Sequence, residues 1–138
     1  MTVGKSVTET HKNYEMSAML ESAESRAEMA RGKFGYAIAR NIRRLKDACL
    51  EFLQARSDLI SKYGIAEVDE NGKQTGEYSI KIGTDECAEF LERLSEYGDI
   101  EHSVEICKVP YDILPDDLTA KDLLDLEWML YDVDEQGE

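Results

Sequence analysis

From Ile38 onward the apolar residues keep a 4-3-4-3 rhythm: Ile38, Ile42, Leu45, Cys49, Phe52, Leu59 and Tyr63, with Arg56 in the one slot that breaks it. This spacing draws an apolar stripe along an amphipathic helix. It predicts one helix over residues 36–63, about 40 Å long at 1.5 Å per residue, which Gly64 stops. Such a stripe is most often core; its other use is a coiled-coil seam to a second copy or another protein. Upstream, residues 14–30 predict a thinner helix on Met16, Met19, Leu20, Ala23, Ala27 and Met29. Gly32 and Gly35 then break or kink the chain, each costing a helix interior about 1 kcal/mol relative to alanine.

After Gly64 the period shortens to two. Tyr78, Ile80 and Ile82 alternate with Glu77, Ser79 and Lys81, and Ile65 to Val68 precede them across Asn71-Gly72, a dipeptide that hairpin turns favour. Residues 69–76 lack the alternating carboxylates and the twelfth-position glutamate of a calcium loop. Thr84 caps a helix whose face is Cys87, Phe90, Leu91, Leu94 and Tyr97 and which Gly98 closes. A second strand follows on Ile100, His102, Val104 and Ile106, ended by Val109-Pro110. His102 is in phase with that apolar face and reads as a packed edge residue rather than a ligand or base. Thr119, with Asp122 at the capping-box position, opens a last helix through Leu123, Leu124, Leu126, Trp128, Leu130 and Tyr131.

The expected fold class is α+β: long N-terminal helices packed with a small antiparallel sheet and two shorter helices. A chain of 138 residues suits one core. Residues 1–13 are polar and aperiodic and read as a flexible arm, 14–132 as a single domain, and 133–138 as an acidic tail.

Composition narrows the function classes. No run approaches the roughly 18 apolar residues of a membrane span, and the N-terminal stretch has no apolar signal core, so a cytoplasmic location is expected. Cys49, Cys87 and Cys107 are odd in number and far apart, which suits three reduced, buried thiols rather than a disulfide framework or zinc site. His11 and His102, far apart in sequence, are not expected to form a metal pair, and no cofactor is expected. There is no G-x-S-x-G, Walker A or G-x-G-x-x-G motif, and few bases to serve a nucleophile, so no enzyme site is expected.

The net charge of −14 is unevenly spread. Residues 1–62 hold eleven Lys+Arg against eight Asp+Glu, and residues 63–138 hold five against twenty-two. Either the halves neutralise one another or one of them meets a charged partner. Lys33, Arg40 and Arg44 recur at i, i+7 and i+11 with Arg43 one step round, a basic stripe that could grip phosphates or an acidic protein surface. No interleaved aromatics are apparent, so base stacking is not expected of it. The plain alternative is a solvated face. In the acidic half, Asp116, Asp117, Asp122 and Asp125 mark a carboxylate surface that could imitate a nucleic acid backbone; ordinary solubility charge is the plain alternative.

Several blocks in order carry a family likeness: Gly32-Lys33-Phe34-Gly35-Tyr36-Ala37-Ile38-Ala39-Arg40-Asn41-Ile42-Arg43-Arg44-Leu45, then Lys62-Tyr63-Gly64, then Asp99-Ile100-Glu101-His102 to Lys108-Val109-Pro110-Tyr111-Asp112, then Leu118 to Leu126-Glu127-Trp128-Met129-Leu130. Across residues 14–132 the chain resembles a small family of tailed-bacteriophage and prophage proteins of unknown function. The resemblance implies a phage product made in a bacterial cytoplasm and transfers no site residues. It frames two expectations: a non-enzymatic accessory protein that binds and inhibits a host nucleic-acid-handling defence complex, in the manner of an anti-CRISPR, or a virion or tail morphogenesis factor that uses the long helix for self-assembly. Direct nucleic acid binding through Lys33, Arg40, Arg43 and Arg44 is a third.

Overall fold

The structure, a computed structural model, describes residues 4–132. In chain order it contains β1 (Lys5–Lys12), α1 (Asn13–Glu24), α2 (Gly32–Ala48), α3 (Leu50–Tyr63), β2 (Ile65–Val68), β3 (Gln74–Ser79), α4 (Asp85–Gly98), β4 (Glu101–Pro110), a 3-10 turn at Tyr111–Ile113, α5 (Ala120–Asp125), a second 3-10 turn at Glu127–Met129, and β5 (Leu130–Tyr131). The fold is α+β, as the periodicities predict. Its division differs from the expected single domain. The chain up to Cys49 and from Glu101 onward forms one compact unit, and Leu50–Ile100 forms another.

In the first unit β4 lies between β1, antiparallel, and β5, parallel. Met16, Leu20 and Ala23 of α1, Phe34, Ile38 and Leu45 of α2, Val104, Ile106 and Val109 of β4, and Leu126 and Met129 are buried. The expected flexible arm is largely a strand: β1 pairs with β4 along its full length, from Lys5↔Lys108 to Lys12↔Glu101. Of its eight residues, Val7 is the one aliphatic side chain, so the period-2 pattern is too faint to see. What orders it is a ladder of backbone hydrogen bonds to a strand nearly a hundred residues away. Glu9 adds an ion pair to Lys108 at 2.7 Å. Residues 1–3 of that arm and the acidic tail 133–138 lie outside the described residues.

Asn41 completes this sheet. β5 pairs with β4 at only Val109 and Pro110, and Cys107 turns its main-chain groups to the fully buried Asn41 amide instead. The Cys107 N–H donates to Asn41 Oδ1 at 2.7 Å, and Asn41 Nδ2 donates to the Cys107 carbonyl at 2.9 Å. One side chain thus does locally what a neighbouring strand does elsewhere.

Two helical expectations are corrected. The single helix over 36–63 is two, because Cys49 (φ −108°, ψ 20°) leaves helical geometry between α2 and α3. No Gly or Pro marks the break, and an i, i+3/i+4 count is blind to one non-helical residue. Ile38, Leu45, Cys49 and Phe52 are buried, whereas Ile42, Leu59 and Tyr63 are half-buried, so over residues 38–52 the stripe is largely core. The last helix stops at Asp125, after which Leu126, Met129 and Leu130 turn into the core and Leu130 joins β4. Its capping box is as expected: the Asp122 N–H donates to Thr119 Oγ1 at 3.1 Å and the Thr119 N–H to Asp122 Oδ2 at 3.0 Å.

The second unit pairs α3 with α4 and holds the hairpin β2–β3. Gly72, with φ +77°, supplies the left-handed turn residue between the strands, and Asp69 Oδ1 accepts the Asn71 and Lys73 N–H groups. Thr84 caps α4, accepting from the Cys87 N–H at 3.2 Å. The expected half-buried strand through Ile82 is not there. β3 ends at Ser79, all its residues are exposed, and Ile82 is 90% exposed. Alternation selects a face, but a face is buried only where a second layer covers it.

Candidate functional site

The charge division of the sequence is partly dissolved by folding. Each unit carries a net −7: eleven Lys+Arg against eighteen Asp+Glu in the first, five against twelve in the second. Within the first unit the basic N-terminal segments pair with the acidic C-terminal one. Arg26, nearly buried, donates to Asp125 Oδ2 at 2.7 Å and to Asp122 Oδ1 at 3.1 Å, and Arg44 lies 3.5 Å from Glu105.

Asp122 and Asp125 are therefore half-buried and paired with Arg26, while Asp116 and Asp117 are exposed in the connector before α5. The hydrogen bond from the Thr119 backbone, followed by Arg26, holds the Asp122 carboxyl below the ordinary aspartate value, and hydrogen bonds from Arg26 and Lys121 do the same for Asp125. Burial pushes the Glu9 carboxyl up, but Lys108 and His11 more than offset it and leave it lowered. All three groups bind protons more readily in the unfolded chain. Their stabilisation is present above the ordinary carboxylate range (about 3.9–4.3) and is lost as pH falls through the lower folded values. Urea midpoints measured between about pH 6 and pH 3 should fall with acidity, and more shallowly for Asp125→Asn than for the parent chain.

The basic stripe lies on the outward side of α2. Phe34, Ala37, Ile38, Asn41 and Leu45 are buried, whereas Lys33, Tyr36, Ala39 and Arg43 are exposed and Arg40 and Arg44 half-buried. Tyr36, Ala39, Arg40, Arg43 and Arg44 line an open hollow of about 280 Å³; Lys33 is on the same helix but not in its lining. Arg40 Nη1 donates to the Tyr36 hydroxyl at 2.8 Å, and its guanidinium stands 5.4 Å from the ring centroid. Arg44 is steadied by Glu105 and by Ser6 Oγ at 3.4 Å. The stripe does contain an aromatic, contrary to the sequence reading: Tyr36 sits four residues before Arg40, one helical turn away, and that spacing was the available signal.

The two histidines, distant in sequence, are directly opposite one another, His11↔His102, on β1 and β4. His11 Nε2 lies 2.8 Å from Glu9 and its Nδ1 3.7 Å from Glu15. Among the described residues no three His, Cys, Asp or Glu side chains converge as a metal site, and no helix is long and apolar enough to cross a membrane. Cys49 and Cys107 are buried, as expected, and Cys87 is half-buried; burial pushes the Cys107 thiol up.

The second unit has a different surface. Among the described residues thirteen large apolar side chains are exposed, and eight of them lie in Leu50–Ile100, including Ile65, Val68, Ile82, Leu91 and Ile100. Its buried large side chains are Phe52 and Leu94. α4 adds an exposed row of carboxylates, Asp85, Glu89, Glu92 and Glu96, at 4-3-4 spacing over about 16 Å of helix; Arg93 meets the last of them at 3.4 Å. The sequence assigned Leu91 and Tyr97 to a core face, and both are exposed. Compared with family profiles, curated proteins and solved structures, the chain gives no match.

Proposed function

We propose that the protein acts without an enzyme site, by binding another protein through the unit Leu50–Ile100. The observation that carries this reading is the concentration there of exposed large apolar side chains, eight of thirteen among the described residues. Burying such a side chain on a partner is favourable by up to about 1.5–3 kcal/mol, and several together offset the cost of association. Exposed apolar side chains that gather on one face mark an interaction surface, and their number in this unit is what supports the reading.

Charge gives the partner's character. The unit's net −7 and the α4 carboxylate row fit a surface that is basic with an apolar centre. Nucleic-acid-handling proteins present basic clefts of that kind. With the phage family resemblance, this supports a phage accessory protein that occupies such a cleft on a host defence complex, for example a CRISPR effector, in the bacterial cytoplasm. A second reading, virion or tail assembly, draws on the hairpin β2–β3, in which every residue but Ala66 is exposed, so a second copy could pair along it. Repulsion between two units of −7 counts against it at low salt.

The test is capture from infected-host lysate with the chain and with an Ile82→Asp/Leu91→Asp variant, which changes only exposed positions. The expected result is a basic host protein held by the parent chain, with affinity for the purified protein about tenfold or more weaker for the variant. Recovery of phage structural proteins alone would support assembly instead. Equal capture by both chains would remove this surface from consideration.

A further inference from the structure

We infer that the hollow on α2 is a nucleotide-phosphate site, in which Arg43 and Arg44 hold the phosphate and Tyr36 packs against the base or sugar. The site lies wholly in the first unit and does not depend on the reading of Leu50–Ile100. In a chain of net −14, this face gathers three guanidinium groups within five residues. Among the described residues no carboxylate comes within ion-pair distance of Arg40 or Arg43, while Arg44 has Glu105 at 3.5 Å. Arg43 and Arg40 thus keep their charge without an ion-pair partner among the described residues, on a face open to an anion.

The geometry narrows its class. Arginine rather than lysine throughout favours planar, multidentate recognition of an oxyanion. Two of the three are pre-positioned, Arg40 by the Tyr36 hydroxyl at 2.8 Å and Arg44 by Ser6 and Glu105, so less side-chain freedom is lost on binding. Arg43, exposed, is free to close on the ligand. Ala39 contributes only a methyl to the floor, which leaves the space open. At about 280 Å³ the open hollow falls just below the range of small-ligand sites, about 300–1,000 Å³, and has room for one phosphate-bearing unit. Tyr36, 51% exposed, puts an aromatic surface beside the cations, as sites for unpaired nucleotides do. The shared chemistry is that of a nucleoside phosphate, free or within a single strand.

Titrating the full chain into a short labelled oligothymidylate at about 50 mM salt, with AMP, inorganic phosphate and poly-glutamate as competitors, tests this. Binding is expected, weakening about 3- to 20-fold by about 200 mM salt, as for one to three phosphate contacts on a single strand. Arg43→Ala should flatten the log–log salt slope by about 0.7. Tyr36→Ala should weaken oligonucleotide binding about 5- to 150-fold and leave competition by inorganic phosphate unchanged, while Tyr36→Phe should retain most of the affinity. Displacement by AMP at equal nucleotide concentration would identify the free nucleotide as ligand, and displacement by the strand alone the polymer. The inference is overturned if the parent chain does not bind at about 50 mM salt, or if both alanine variants bind as it does. It is equally overturned if poly-glutamate displaces the strand as well as unlabelled strand does, which would assign the hollow to an acidic peptide. Both variants change exposed side chains, and unchanged urea midpoints would confirm that they fold.

Discussion

Asn41→Leu is expected to destabilise the protein by about 3 kcal/mol, although it replaces a polar core residue with an apolar one of the same branched shape. Asn41 is fully buried, and its amide satisfies both the N–H and the C=O of Cys107. Removing it orphans two main-chain groups where water does not reach, at about 1–3 kcal/mol each, and the added hydrophobic burial recovers only part of that loss. Asn41→Asp should fare no better, because it removes the donor to the Cys107 carbonyl and puts a carboxylate at a dry site. Urea unfolding measures this: the midpoint should drop with the slope unchanged. A variant as stable as the parent would mean that Cys107 finds other partners, most directly through a longer pairing of β5.

Phe52→Ala should have the largest effect on the second unit. That unit buries Phe52 and Leu94 and exposes most of its other large apolar side chains. Truncating a buried phenylalanine costs about 3–5 kcal/mol. A unit of some fifty residues has on the order of 3–8 kcal/mol in total, at about 0.05–0.15 kcal/mol per residue. The variant should therefore lose amide-exchange protection through α3 and α4, and with it any partner binding that needs those helices. Retained protection in α4 would show that Leu94 and Gly98 hold it without Phe52. A bound partner should raise protection in the parent chain by covering the exposed set, by mass action.

The local grammar of the chain was legible where a single residue or dipeptide dictates the backbone. Thr84 and Thr119 cap the helices they were expected to cap, Asn71-Gly72 makes its turn, and Gly64 follows the end of α3. The buried faces of α2 and β4 were legible too, since a strong period survives without knowledge of what covers it. The candidate basic stripe was found from spacing alone. What spacing could not supply was the set of neighbours. It missed Ser6 and Glu105 steadying Arg44, and it treated Asp122 and Asp125 as surface although Arg26, almost a hundred residues earlier, engages both.

The sequence by itself therefore determined the class of fold, the starts of α1, β2, α4, β4 and α5, and the row of basic residues on α2, because these follow from interactions within a few residues. The tertiary structure alone decided three things. It made a polar arm into β1, by pairing it with β4. It broke one apolar stripe into two helices, by dividing its residues between two units. It left Ile82 and Leu91 outside a core that their pattern had assigned them to. The physical reason is common to all three. Periodicity records which side of an element is apolar, whereas order and burial depend on what the rest of the chain places against that side.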